Sequence, residues 1–512
     1  MTSTIEQLID SLFRPWQKEI CPGVQVLIRQ GGRDIYEKCF GFANLEHKIP
    51  ITTSTTFHVA SISKQFTVLS VLLLWKDGLL DPDQDIREYV GDLISFSEPV
   101  SIRQIMNNVS GLRDQWELLF MRGIKISDSI TMEDVNTSLK MQKHLNFPPQ
   151  SAYLYSNMGF HLLAVITERV SGMTLPEFAA KRIFEPLGMN HTMIRSSCSQ
   201  IIANLAYSYQ DEGNGSYSYS PLNYSLYGPT SVNTCARDLQ LMLDEYIHPQ
   251  KIDSQIIDLM KKPAVLSDGS EAEYCGGLMT HQLHGLTVYE HGGADAAYRG
   301  HVLCIPEKEL EVIMLSNSTS LLMSRLAKQA ACLVLGLPPC EEAEIPVEGL
   351  TAPRAGIFLS SCPDDPRFAE IVERNGSFFM KREYGWTRLI QKERGGWQVG
   401  SLEETLFFQE GQLQYLLPGR IITMTEAVPP APGTLIPGFY REPETSMAFS
   451  IEETAHGYAI SMLRYGTASL FSNGKGETAF SFGPDFTMYV RPDGDRIILD
   501  GYRVKNLAAV RQ

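Results

Sequence analysis

The sequence predicts an α+β unit followed by two small all-β units. Three observations carry that prediction: β-hairpin patterns at both ends of the first 337 residues with helical patterns between them, a change of composition after Pro338-Pro339, and an internal repeat beyond it. Gly23 to Arg29 and Asp34 to Phe42 are rich in β-branched and aromatic residues, and Gln30-Gly31-Gly32 joins them as a hairpin turn. From Ser61 to Leu80 apolar residues fall on several helical faces, which predicts a helix sunk in a core. A further helix is predicted over Asn157 to Val170. His301 to Ile305 and Glu309 to Leu315 flank Pro306-Glu307-Lys308 as a second hairpin, and a helix over Leu321 to Leu335 closes the unit at Gly336. Strands from the two ends can then share one antiparallel sheet.

An acidic link, Glu341 to Glu348, leads into Leu350 to Gln512, where aromatic and β-branched residues alternate with polar ones and Gly marks frequent turns. Gly356-Ile357-Phe358 matches Gly438-Phe439-Tyr440. Gly376-Ser377-Phe378 and Tyr384-Gly385 match Gly457-Tyr458-Ala459 and Tyr465-Gly466, at offsets of 82, 81 and 81 residues. Two copies of one antiparallel β-barrel fit this repeat. The domains expected are residues 1–337, 338–430 and 431–512, with Val428 to Gly433 (VPPAPG) as the link between the barrels. As a repeat unit the last barrel should be self-contained, so removing it should leave a soluble remainder.

Lys plus Arg number 44 and Asp plus Glu 59, a formal charge of −15 in 512 residues. Such a surface repels phosphate backbones and anionic lipid, so neither nucleic acid nor a membrane is an expected partner. The start of the chain reads as a short amphipathic helix (Ile5, Leu8, Ile9, Leu12, Phe13) rather than a secretory signal, and the most apolar run, Val68 to Trp75, is too short to span a bilayer. Nine scattered cysteines without a C-x-x-C pair read as reduced thiols. A cytoplasmic protein is expected, and a homodimer is left open.

Ser61-Ile62-Ser63-Lys64 is the strongest chemical signal. At i and i+3 on a helix, a hydroxyl and an amine share one face. The amine supplies the base that a serine nucleophile lacks, and burial lowers its pKa toward that role. A helix N-terminus adds N–H groups and a dipole favourable to developing negative charge. The pattern alone is weak, because Ser472-Asn473-Gly474-Lys475 repeats it around an ordinary turn. Tyr155-Ser156-Asn157 precedes the helix that runs to Val170. A phenol of lowered pKa beside a lysine can accept and return a serine's proton, and the Asn157 amide can hold both a lysine and a substrate carbonyl. Ser156 or Asn157 would equally serve as a helix cap, and Ser231-Val232-Asn233 is a rival triplet. His291-Gly292-Gly293 lets a strand approach a ligand closely, although a plain glycine turn reads the same way. His281 and His284 have no acidic third ligand beside them and no phosphate loop occurs, so no metal or other cofactor is expected.

In combination and in this order, S-x-x-K, Y-x-N and H-x-G resemble the serine β-lactamase and penicillin-binding-protein superfamily. Ser110-Gly111-Leu112, Tyr155 to Phe160, Pro186-Leu187-Gly188-Met189 and Ala236-Arg237-Asp238-Leu239 look like its class C branch, and the likeness covers roughly Pro22 to Leu337. Ser61 to Thr67 and Asn107 to Asp114 are particularly similar to bacterial D-aminopeptidases, which carry a β-lactamase-like catalytic domain followed by two β-barrels. The resemblance implies that Ser61 is acylated, that Lys64 and Tyr155 move protons, and that His291 stands where many relatives have lysine. It also implies an oxyanion hole from the N–H groups of Ser61 and Ala294, with Asn157, Gly293 and Arg299 against the substrate. In those enzymes a loop of the last barrel reaches the cleft and helps select a free amino terminus. The comparable stretch here, Phe482 to Asp495, is shorter, and Asp485 is the nearest candidate for its acidic contact. Pro149-Gln150 replaces the Pro-Gly of many relatives, so that turn is expected to differ.

The function expected is therefore a serine hydrolase acting through an acyl-enzyme on a small peptide, amide or ester, releasing N-terminal D-amino acids. A carboxylesterase is the alternative, followed by a β-lactamase. The non-enzyme alternative is a ligand-binding protein with an inert cleft.

Overall fold

Val24–Gln30 (β1) and Arg33–Phe40 (β2) pair antiparallel around the Gly31-Gly32 turn in a computed structural model. It describes residues 4–17, 20–212, 215–319, 323–339, 349–360, 362, 365–382, 385–392, 395–399, 404–417, 420–474, 477–483 and 486–512. Tyr274–Cys275 (β3), Leu278–Leu283 (β4), Leu286–Asp295 (β5), Tyr298–Ile305 (β6) and Leu310–Ser316 (β7) complete an antiparallel sheet of order β3-β4-β5-β6-β7-β1-β2. The two predicted hairpins thus meet in one sheet, with Val26 opposite Met314 across the β1–β7 seam.

Two-residue alternation divides the sheet between two cores. Val24, Val26 and Ile28 face one core with Leu303 and Ile305, while Leu27, Val302 and Cys304 face the other. The helix Ile5–Leu12 (α1) carries Ile9 into the first core. On the opposite face lies Lys64–Lys76 (α2), whose residues from Lys64 to Leu72 are all buried, as its all-round apolar pattern predicts. Gln115–Met121 (α3) and Asn157–Ser171 (α4) pack in the same core, and α4 is buried from Asn157 to Thr167. Met323–Leu335 (α5) covers the first core beside α1; the earlier part of that predicted helix lies outside the described residues. Among the described residues no helix is long and apolar enough to cross a membrane.

Beyond the sheet, eight strands between Gly356 and Glu426 form a closed barrel around Phe358, Leu406, Phe408 and Tyr415. Nine more between Gly438 and Arg511 form a second sheet. Its two edge strands, Gly466–Ser469 and Phe471–Ser472, are separated only by Leu470, so the sheet curls into a nearly closed barrel. The repeat read in the sequence falls on equivalent strands: Gly356 and Gly438 open the first strand of each barrel, and Gly385 and Gly466 the fourth. Tyr384 and the acidic link lie outside the described residues.

The expectation of a self-contained last barrel is corrected by its packing. One hydrophobic core runs from Phe66 and Phe160 through to Phe449, Phe480 and Phe486. Phe486 meets Phe120 of α3 with ring centroids 6.3 Å apart. Buried Arg113 donates to Glu444 at 2.7 Å, and that carboxylate also accepts from the N–H of Lys143 at 2.7 Å. A repeat reveals a shared backbone plan; it is silent on which outward residues another unit covers.

Candidate active site

The strand Phe57–His58 leads into a 3-10 turn, Ala60–Ser63, that continues directly into α2. Ala60 is held at φ +48°, a left-handed conformation that costs a non-glycine residue on the order of 1 kcal/mol. Facing this turn is Gly293 of β5. A Cβ there would lie 2.2 Å from the Val59 carbonyl oxygen, so only glycine lets the strand lie against the turn that bears Ser61. The register of β4 with β5 stops at Glu290, so His291 to Asp295 stay paired with β6 but have no strand on their other edge among the described residues, at the mouth of a cleft of about 620 Å³. Ser61, Tyr155, Asn157, His291, Gly293, Ala294 and Arg299 all line this cleft, so the structure brings the residues singled out in the sequence together.

Lys64 is fully buried behind Ser61. Its Nζ lies 2.9 Å from Ser61 Oγ, 2.9 Å from Asn157 Oδ1 and 2.8 Å from the Pro229 carbonyl oxygen. Burial lowers its pKa to about 7, against the opposing pull of the Asp114 and Asp295 charges. A free amine is therefore present at neutral pH and has a lone pair to take the Ser61 proton. Only that form is competent, so kcat/KM should fall about tenfold per pH unit below the Lys64 pKa of about 7 and level off above it. A pH–rate profile on a substrate that does not itself titrate there checks this.

Tyr155 corrects the sequence reading. Burial drives its phenol pKa up, not down, and the opposing hydrogen bond to Ser61 does not offset it. The ring lies 4.9 Å from Lys64 Nζ. Tyr155 thus stands as a protonated phenol beside the hydroxyl and the amine, able to pass a proton but not to serve as a resident phenolate.

Asn157 is oriented by fully buried Asp114, which caps α3. Asp114 Oδ2 accepts from the Asn157 N–H at 2.7 Å and from Nδ2 at 2.9 Å, which turns the amide oxygen toward Lys64. Asp114 Oδ2 also pairs with Arg503 Nη1 at 3.2 Å. Arg503 lies on the loop between the strands Arg496–Asp500 and Leu507–Arg511 of the last barrel, and it lines the cleft. Its N–H donates to both Glu117 oxygens, at 3.0 and 2.8 Å, and its carbonyl accepts from Asn146 Nδ2 at 2.9 Å. Burial raises the Glu117 pKa to about 7, and the Arg503 charge opposes that rise.

The last barrel therefore does reach the cleft, but through a basic residue beyond the stretch expected. Phe482 and Phe486 pack with Tyr465 instead, and Asp485 lies outside the described residues. Gln150 also departs from expectation: it takes the left-handed φ of +71° that glycine favours and is pinned through Nε2 to the Val265 carbonyl at 2.6 Å.

His291 is buried and neutral, its pKa lowered to about 3 by burial and by the Lys64 charge. Nδ1 faces the Gly292 carbonyl at 2.6 Å and must donate to it, so Nε2 accepts from the Tyr274 hydroxyl at 3.0 Å. With both nitrogens engaged, His291 presents no free base. Arg299 turns Nη1 to the carbonyls of Ala296 and Tyr298, at 3.2 and 2.7 Å. The Ser231 hydroxyl donates to the Leu226 carbonyl oxygen and is not among the cleft-lining residues. Sequence reasoning missed Tyr274, Arg503 and Asp295; Asp114 stood within a quoted motif, but nothing local marked it as the partner of Asn157.

Comparison with known proteins agrees with this geometry. Residues 5–333, well over half of the chain, match the profile of the family described as Beta-lactamase. The chain is 29% identical over 321 residues to a D-aminopeptidase of Cereibacter sphaeroides, an alignment that covers 60% of this chain and 61% of that protein. It is 28% identical over 310 residues to penicillin-binding protein 4* of Bacillus subtilis, covering 57% of this chain and 67% of that protein. A penicillin-binding protein homologue from Pyrococcus abyssi shares the fold at a TM-score of 0.58 and 23% identity, over 82% of this chain and 99% of that one. On the extent of the family match, this chain belongs to the beta-lactamase family, within the superfamily of serine β-lactamases and penicillin-binding proteins.

Proposed function

We propose that this protein is a serine hydrolase that acts through an acyl-enzyme on Ser61 and releases N-terminal D-amino acids from small peptides or amides. The observation that carries the reading is the 2.9 Å contact between Ser61 Oγ and a lysine whose pKa burial lowers to about 7. In the proposed cycle the Lys64 amine takes the hydroxyl proton as Oγ attacks the substrate carbonyl. The N–H groups of Ser61 and Ala294 stabilise the oxyanion. The proton then passes, through the Tyr155 hydroxyl, to the departing amine as the C–N bond breaks. Water repeats the sequence on the ester and restores Ser61. The D-aminopeptidase relatives support the substrate class. A carboxylesterase is the second reading, favoured by the last barrel placing basic Arg503, not an acid, at the cleft.

The test compares kcat/KM for D-alanine p-nitroanilide, its L-enantiomer and p-nitrophenyl butyrate. Preference for the D-amide supports the aminopeptidase reading; hydrolysis of the ester alone moves the assignment to esterase. A neutral His291 also lacks the charge that lysine offers a substrate carboxylate. Dipeptide amides should therefore match free-acid dipeptides within about tenfold, which is only about 1.4 kcal/mol of transition-state binding. A larger preference for free acids would show that another cation reads the carboxylate.

A further inference from the structure

Asp295 ends β5, one residue past Ala294, and its carboxylate is held by one oxygen only. Oδ2 accepts from the Tyr224 hydroxyl, from the Thr230 hydroxyl at 2.9 Å and from His58 Nε2 at 3.2 Å. These three partners are buried and come from two parts of the chain, His58 just before the turn that bears Ser61 and Tyr224 and Thr230 from one later segment. Three donors on one oxygen fix the plane of the group. Oδ1 makes no hydrogen bond among the described residues, nor is it among their buried unpaired atoms, so it opens to the cleft that Asp295 lines with Ser61, Trp116 and Thr230. A carboxylate oxygen retains acceptor sites that a multi-donor cation such as an ammonium fills well.

Of the other charges at the cleft, Arg299 and Arg503 are cations, and the Glu404 carboxylate of the first barrel already accepts from the Tyr415 hydroxyl. Arg503 is paired to Asp114 at 3.2 Å and lies 3.5 Å from Glu117, so the contribution of the last barrel is a cation already matched by acids. Asp295, by contrast, is held by two hydroxyls and an imidazole. It also sits next to Ala294, beside the proposed oxyanion position, where the acyl residue of a substrate aligned along the edge of β5 left open beyond β4 would lie.

We propose that Asp295 Oδ1 binds the free ammonium group of the acyl residue, so that the catalytic sheet itself, not the last barrel, selects substrates with a free amino terminus. The proposal rests on the aminopeptidase reading above and names the residue that would enforce it. It makes Asp295 a substrate-binding residue, with Thr230 and Tyr224 as positioning residues that keep Oδ1 turned outward.

The experiment measures kcat/KM for D-alanine p-nitroanilide and its N-acetyl derivative in the wild type and in Asp295→Asn. In the wild type the free amine should be preferred; equal or reversed preference overturns the aminopeptidase reading and this proposal with it. Given that preference, Asp295→Asn should reduce the ratio of the two values about a hundredfold, the order of a lost charge-assisted contact. A ratio unchanged by the substitution overturns the Asp295 assignment while leaving the aminopeptidase reading intact. A measurement on the wild type decides the matter even where the variant fails to fold. In a crystal structure with 1-aminoethylboronic acid bonded to Ser61, the ammonium nitrogen should lie about 3 Å from Asp295 Oδ1. An ammonium paired to any other carboxylate overturns the proposal.

Discussion

Replacing Ser61 by Ala is expected to lower kcat/KM by three decades or more without unfolding the protein. Ser61 is half-way out of the core, and only its Oγ is lost, so the buried helix behind it keeps its packing. Lys64 loses one of three hydrogen-bond partners and keeps Asn157 and the Pro229 carbonyl. Without the hydroxyl there is nothing to acylate, and general-base attack by water is a far slower substitute. Steady-state kinetics with circular dichroism on the same preparation reads both halves of the expectation. Retention of a tenth of wild-type turnover would remove Ser61 from the chemistry. Lys64→Ala and Tyr155→Phe should be comparably damaging, and the double variants no worse than the singles, because the three groups act as one unit.

Cutting the chain between Val428 and Gly433 is expected to abolish labelling of Ser61 by a serine-reactive phosphonate. The cut removes Arg503 from buried Asp114 and Glu117, and Glu444 from buried Arg113. Each broken buried pair costs about 3–5 kcal/mol, so two of them rival the whole stability of an ordinary domain at about 5–15 kcal/mol. The cut also exposes the apolar surface that α3 shares with Phe486. Asp114 would no longer be held against Asn157 from the barrel side, and the amide that faces Lys64 would lose its anchor. Labelling followed by intact mass, together with thermal unfolding, checks this. A truncated chain that is folded and labels at the wild-type rate would show that the last barrel is separable, as the repeat by itself suggests.

These two expectations differ in how far the sequence anticipates them. Ser61 and Lys64 are three residues apart, and helix geometry alone brings them together; the same holds for Tyr155 and Asn157 at the start of α4. The hairpins at both ends were legible because hydrophobic alternation and the Gly31-Gly32 turn are local signals. The Asp114–Asn157–Arg503 linkage was not, since its members come from α3, α4 and a loop of the last barrel and only tertiary packing brings them within reach. Asp295 escaped notice for the same reason, its partners being His58, Tyr224 and Thr230. The direction of the Tyr155 shift was misread because burial is a property of everything around a residue: Tyr274 and His291 close over the ring, and desolvation outweighs the hydrogen bond to Ser61 and the Arg503 charge. Gln150 shows the reverse case, in which side-chain hydrogen bonds hold a backbone conformation that composition assigns to glycine.

The central claim is that Ser61 is the nucleophile and Lys64 its base. The most direct test is the mass of the intact protein after brief exposure to a fluorophosphonate at pH 8, with peptide mapping of the product. One adduct per chain, located on Ser61 and absent from Ser61→Ala, is the result predicted. No adduct, or an adduct on Ser156 or Ser231 with Ser61 unmodified, would contradict it.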